Sequence, residues 1–378
     1  MRRTSSGVAL LLTAALVVGC SDAPTGSTGE EGPVARRAPA EQAPIYLVTF
    51  RDGVSDVEGA ARDIARNRGF ALRSIRSHAA RGFSAIIPPG QIDAVRADPR
   101  VLIVERDGPV SLIEPIREQA RPGGGGGGGQ TTPWGITRIG GAGDGTGKTA
   151  WIIDSGIDLD HPDLNTSRNC HAYFTGRTAD DGNGHGTHVA GTIAAINNGI
   201  DVVGVAANAY VCAVRVLGNS GSGTWEAVMN GINYVAGNGA SGDVANMSLG
   251  GSGANATLEK AVSDAAAKGI RFVLAAGNDG ADANNFTPAR VNGTNIYTIS
   301  AIDSKGCLTS WSNYGSPVDY AAPGASILST RKGGGTTTMS GTSMAAPHVA
   351  GILLLGGVRA DGNACNDPDG KADPIAHR

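Results

Sequence analysis

The run Gly341-Thr342-Ser343-Met344-Ala345-Ala346-Pro347-His348-Val349-Ala350-Gly351 decides how this chain is read. It places a serine at the mouth of a predicted helix, with glycine just before it. At a helix N-terminus, unbonded backbone N–H groups and the positive end of the dipole point outward, so negative charge developing on a nearby oxygen is stabilised. Gly341 removes a side chain that would block a ligand's approach. Pro347 lacks an N–H and is tolerated near a helix's first turn, which predicts a helix start close by. Alone, the motif describes a capping serine. Its upstream partners change the meaning.

The first partner is Trp151-Ile152-Ile153-Asp154-Ser155-Gly156, an apolar run that reads as a buried parallel strand with a carboxylate at its C-terminal end, where α/β sheets place their chemistry. The second is Asn183-Gly184-His185-Gly186-Thr187-His188-Val189-Ala190-Gly191-Thr192, where a histidine between glycines opens a small-residue helix. Singly, these are a solvated Asp154, a metal-binding His185/His188 pair and a capping Ser343. Together, Asp then His then Ser is one of the chain orders in which an acid–base–nucleophile triad occurs.

With these blocks, residues from about 130 to 355 resemble the subtilisin family of serine proteases, nearest the secreted proteinase K and aqualysin group. Asn246-Met247-Ser248-Leu249-Gly250-Gly251 resembles the strand lining that family's primary specificity pocket, and Ala275-Ala276-Gly277-Asn278 the turn with its oxyanion-hole asparagine. Trp311-Ser312-Asn313-Tyr314-Gly315 and Ala322-Pro323-Gly324 complete the run. The resemblance implies a three-layer α/β domain with a mostly parallel twisted sheet. It also implies an endopeptidase of broad specificity: Ser343 as nucleophile, His185 as base then acid, Asp154 orienting His185, and Asn278 with the Ser343 N–H at the oxyanion.

Small residues at Gly250, Gly251, Ala275, Ala276 and Gly277 imply an open slot for a large apolar side chain. Asp279 follows the oxyanion asparagine; it either admits a basic side chain at the pocket mouth or is a solvent-facing loop acid. Gly221-Ser222-Gly223 resembles the edge against which substrate adds as an antiparallel strand. The alternative function is a non-hydrolytic binding or inhibitor lipoprotein on a protease scaffold, against which the intact chemical positions argue.

Calcium takes about six to eight oxygens, many of them carbonyls. By resemblance, Ile196-Asn197-Asn198-Gly199-Ile200-Asp201-Val202 is the family's calcium loop, with carbonyls of Ile196, Ile200 and Val202, the side chains of Asn198 and Asp163, and Gln130 as ligands. A second site is implied at Asp319 with carbonyls of Thr294 and Ile296. The segment Ala142-Gly143-Asp144-Gly145-Thr146-Gly147-Lys148-Thr149 satisfies a relaxed phosphate-loop pattern, but it precedes a strand instead of following one and reads as a turn.

The chain has 58 glycines in 378 residues, few aromatics and a net charge of -3, which suits glycine-dependent loops and gives no electrostatic footprint for nucleic acid. The resemblance implies protein or peptide substrates as partners, with the chain expected to be a monomer. Arg2, Arg3 and an apolar run over residues 8–18 read as an export signal too short to span a membrane. Val17-Val18-Gly19-Cys20 resembles a bacterial lipobox, which would lipidate Cys20 and make a membrane-held precursor, periplasmic or at the cell surface, of an extracellular enzyme.

Residues 21–43 read as a disordered tether rich in Pro, Gly, Ser and charge. Residues 44–113 give a βαββαβ-like α+β pattern, with strands near 46–50, 82–87 and 101–105 and helices near 57–68 and 91–97. This resembles the subtilisin propeptide, a ferredoxin-like folding guide and inhibitor, and so implies a zymogen. Residues 114–129 are a glycine-rich, cleavable linker before a peptidase domain at 130–378.

Cys170, Cys212, Cys307 and Cys365 allow about three disulfide connectivities in an exported chain; resemblance pairs Cys170 with Cys212, leaving Cys307 with Cys365. The serine helix should end near Leu355, and residues 361–378, acidic and turn-like, depart from the family pattern.

Overall fold

The computed structural model describes residues 44–113 and 129–378. The expected signal, Cys20, the tether and residues 114–128 of the linker lie outside the described residues.

The apolar run before Asp154 forms the strand Thr149–Asp154, buried throughout. It lies inside a nine-stranded sheet ordered Arg359–Asn363, Pro374–His377, Val318–Pro323, Ile296–Ile302, Arg271–Ala275, Val244–Met247, Thr149–Asp154, Tyr210–Arg215, Ala172–Tyr173. Neighbours run parallel except in the outer hairpin of Arg359–Asn363 and Pro374–His377. Side chains alternate across the pleat. Trp151 and Ile153 join Val228, Ile232 and Val262 from the helices Trp225–Asn238 and Ala256–Ala266. Ala150 and Ile152 join Val189 and Ile193 of the helix His185–Ala194, and Met344 and Val349 of the helix Thr342–Leu355. Two cores on opposite faces make three layers, with each fully buried aliphatic side chain contributing roughly 1.5–3 kcal/mol.

Thr149–Asp154 pairs with Tyr210–Arg215 on one side and Val244–Met247 on the other, so the strand order reverses beside it. The crevice at the carboxyl ends of such strands is where α/β sheets hold ligands. The phosphate-loop look-alike is a short strand, Gly143–Asp144, paired with Ala206–Ala207, followed by a turn entering this strand.

The N-terminal domain is a four-stranded sheet ordered Leu72–Arg76, Gly82–Ile86, Ile45–Phe50, Val101–Arg106. Its core holds Val48, Phe50, Ile64, Phe83 and Val101. The helix Val57–Arg68 begins at Asp56, which accepts from Gly59 N at 2.8 Å, and ends at the left-handed Gly69. The strand Leu72–Arg76 was not expected: Arg73 and Arg76 break its apolar period, yet Arg76 is buried, donating to the carbonyls of Val48 and Phe83.

This domain docks on the C-terminal domain by two acidic caps. Glu105 accepts from Ala256 N, Thr257 N and Thr257 Oγ1 at one helix start. Asp107 accepts from Glu226 N at the other. Both carboxylates meet the positive ends of helix dipoles. The strand Pro109–Leu112 then lies between Ser222–Thr224 and Leu249–Ser252, antiparallel to each.

Two expectations are corrected. Residues 361–378 are not merely turn-like: Arg359–Asn363 and Pro374–His377 extend the main sheet, and the first of these is fully exposed, so it carries no apolar pattern to read. Pro347 lies deeper in its helix than expected. The carbonyl that its missing N–H would have bonded, that of Ser343, accepts from Ser248 Oγ instead, at 3.1 Å.

Candidate active site

Asp154 arrives on the C-terminal end of its strand and His185 on the first residue of its helix, and they meet in the interior with His185 Nδ1 2.9 Å from both carboxylate oxygens. Asp154 Oδ1 also accepts from Ser155 N at 2.6 Å, and its carbonyl accepts from Val216 N and Leu217 N. Asp181, which the sequence did not single out, ties the two elements together. It accepts from Ser155 Oγ, Gly184 N, Thr187 N and Thr187 Oγ1, and so supplies the cap that Gly184 lacks.

Ser343 follows Thr342 at the start of the serine helix, and its hydroxyl donates to Ile113 O at 3.1 Å. Asn278 lies alongside: its Oδ1 accepts from Thr342 N and Thr342 Oγ1 at 2.9 and 3.0 Å. A side chain at Gly341 would meet Asn278 Nδ2 at 2.9 Å, so only glycine leaves that amide in place.

A cleft of about 450 Å³ runs along Leu249, Gly250 and Gly251, across Ala275, Ala276 and Gly277, to Asn278 and Asp279. Its far wall, Phe286 to Ala289, was not anticipated from sequence; the signal available there was Pro288. Gly221 and Gly223 flank the chain's own strand: a side chain at Gly221 would strike Leu112 at 2.8 Å. Ser248 holds both partners, accepting from Ile113 N through its carbonyl and donating to Ser343 O.

Of the expected calcium ligands, Gln130 Nε2 donates to the carbonyls of Ile196 and Val202, Asn198 Nδ2 donates to Asp163 Oδ1, and Val202 N to Asp163 Oδ2. Burial pushes the Asp163 carboxyl up to about 7. Ile200 N donates to Asn198 Oδ1. Asp319 accepts from Thr298 N at 2.8 Å, and burial raises its pKa. Among the described residues, no cluster of three His, Cys, Asp or Glu is placed to hold a metal. Cys170–Cys212 and Cys307–Cys365 are disulfide-bonded.

Two further histidines lie buried beside the site. His188 Nε2 donates to Ile327 O and is pushed down to about 3 by burial, then by His185; His348 Nδ1 donates to Met344 O and is pushed down to about 4 by burial. The rings of His185 and His188 are directed to different partners, His185 Nδ1 to Asp154 and His188 Nε2 to Ile327 O.

Residues 145–356 match the Subtilase family. The chain belongs to that family of serine proteases. This subtilase is 42% identical over 300 residues to the alkaline serine exoprotease A of Vibrio alginolyticus, covering 75% of this chain and 53% of that protein. It is 40% identical over 279 residues to an alkaline protease of Alkalihalobacillus alcalophilus, covering 72% and 68%. With proteinase R of Parengyodontium album the figures are 33% over 342 residues, 85% and 81%. Among solved structures, a cold-adapted subtilisin-like serine proteinase matches with a TM-score of 0.58 and 41% identity, covering 65% of the subtilase and 97% of that chain. The fold is thus subtilisin-like, as the sequence motifs implied.

Proposed function

We propose that this subtilase is an exported serine endopeptidase made as a zymogen that cuts itself between Ile113 and Glu114. The observation carrying this reading is the chain's own occupancy of the cleft: Pro109–Leu112 is paired on both sides like a bound peptide, and the Ile113 carbonyl stands at the Ser343 hydroxyl.

His185, oriented by Asp154, takes the Ser343 proton as Oγ attacks the Ile113 carbonyl carbon. Asn278 and the Ser343 N–H donate to the resulting oxyanion. His185 then protonates the Glu114 amine as the C–N bond breaks, and water releases the acyl group by the same steps reversed. The preferred substrate follows from the occupant. Val110 and Leu112 face inward while Ser111 faces out, so apolar residues are selected at those positions and at Ile113.

In the same reading residues 44–113 are the inhibitor domain, and Cys20 a lipid anchor on its side of the cut, so that cleavage releases the enzyme. Calcium would be held by Asp163, Asn198, Gln130 and the carbonyls of Ile196, Ile200 and Val202. The fit rests on a buried carboxylate that takes its hydrogen bonds from the neutral Asn198 amide and Val202 N–H, near carbonyls of Ile196 and Val202 that the Gln130 amide nitrogen bridges. A bound calcium supplies the charge that this carboxylate needs. At the second site Asp319, whose carboxylate takes the Thr298 N–H, would hold calcium with the carbonyls of Thr294 and Ile296.

A fluorophosphonate should label the mature enzyme at Ser343, with loss of label and of casein hydrolysis in Ser343→Ala. Hydrolysis surviving in that variant would rule the reading out.

A further inference from the structure

Asn313 lies on the loop after the strand Ile296–Ile302 and is fully buried. Its Nδ2 donates to Ala276 O at 2.9 Å, and its Oδ1 accepts from Asp279 N at 2.9 Å and Ala281 N at 3.0 Å. Its backbone N donates to Gly277 O at 2.9 Å. One residue therefore grips the turn on both sides of Asn278. The turn is wound tightly on it: Gly277 has φ +114°, and a side chain there would meet Asn313 Nδ2 at 2.1 Å. Asn313 is itself tied to the central sheet, because Ser312 Oγ donates to Asn313 O and accepts from Ala301 N.

We infer that Asn313 is a positioning residue for the oxyanion hole: it fixes the backbone of Asn278, while Thr342 holds only the acceptor end of the Asn278 side chain. This rests on the protease reading above. A donor aimed at developing charge helps only if it stands in place beforehand, and a displacement of about 1 Å costs on the order of a hundredfold in rate. Asn313 makes no contact with substrate in this role; it acts through Asn278. The polar atoms of this side chain all face the turn, which a residue needed only for packing would not require.

The test is a double-mutant cycle on kcat and KM, with rates counted per site labelled by a fluorophosphonate. Asn278→Ala alone should lower kcat by about 10² to 10³, a magnitude that comes from a subtilisin. Asn313→Ala should lower kcat by about tenfold to a hundredfold with KM within about twofold, and weaken a peptidyl boronic acid by a similar factor. In the Asn278→Ala background the same substitution should cost about twofold or less, since the donor it positions is gone. Asn313→Asp keeps the acceptor for Asp279 N and Ala281 N but sets a carboxyl oxygen against Ala276 O, so it should show a loss of the same kind that deepens as pH rises and that carboxyl ionises. An equal kcat loss in both backgrounds, or a raised KM with unchanged kcat, would overturn the inference while leaving the protease standing. Failure of the unsubstituted enzyme to take up the phosphonate would overturn the protease reading itself.

Discussion

Ser343 Oγ donates to Ile113 O at 3.1 Å, and the backbone of Ile113 is held by Ser248, whose own hydroxyl grips the Ser343 carbonyl. Ser343 and the chain segment are thus fastened to the same residue. Apolar side chains belong at 113 because Gly250, Gly251 and Ala276 line the cleft. Ile113→Glu should slow conversion of precursor at least about tenfold, since a carboxylate would be desolvated there beside Asp279, whereas Ile113→Leu should convert normally. A gel time course in a protease-deficient host reads this, and equal rates would contradict the pocket assignment.

The two caps should govern how long the N-terminal domain stays bound after cutting. Each N-cap is worth about 1 kcal/mol, or roughly fivefold in affinity. Glu105→Ala, which leaves Ala256 N and Thr257 N without their acceptor, should weaken retention by about that factor. The fraction of cleaved domain that co-purifies with labelled enzyme measures it, and undiminished retention would count against the caps.

Calcium should stabilise the mature enzyme, by about 2.7 kcal/mol at a hundredfold excess over Kd. Chelator should lower Tm, and Asp163→Ala should abolish that response. Because burial pushes the Asp163 carboxyl up to about 7, calcium must displace its proton below that pH, and affinity should fall about tenfold per pH unit. A Tm increment from calcium as large at about pH 5 as at about pH 8 would contradict the site.

His348 is held neutral, pushed down to about 4 by burial. A depressed histidine contributes stability that is present above its ordinary value of about 6.5 and lost as pH falls toward its folded value, at up to about 1.4 kcal/mol per pH unit. His348→Gln keeps a donor for Met344 O and removes this titration. Between about pH 6.5 and 4 its stability should fall less steeply than that of the unsubstituted enzyme. Asp373, pushed up to about 7 chiefly by burial, runs the other way in both proteins and cancels in the difference. Parallel curves would refute the assignment.

Much of this was legible because the motifs are local. Asp154, His185 and Ser343 each end a strand or open a helix, and small flanking residues advertise the close packing there. The central strands read directly, since burial on both faces leaves continuous apolar runs. What was hidden depends on partners distant in sequence. Leu72–Arg76 conceals a strand because its Arg76 is satisfied by carbonyls inside the domain. The role of Asn313 rests on contacts to residues more than thirty positions away. Pro347 was placed too near the helix start because its lost hydrogen bond is replaced by Ser248, which no spacing rule reveals. Pro109–Leu112 carries no mark of the cleft it fills.

Intact-mass analysis of the products is the most direct test. The account predicts an N-terminal fragment whose last residue is Ile113, an enzyme that starts at Glu114 or beyond, and a single uncut chain from Ser343→Ala in a protease-deficient host. An N-terminal fragment running into the glycines at 123–129 with the Ile113–Glu114 bond intact, or normal cutting of Ser343→Ala, would contradict it.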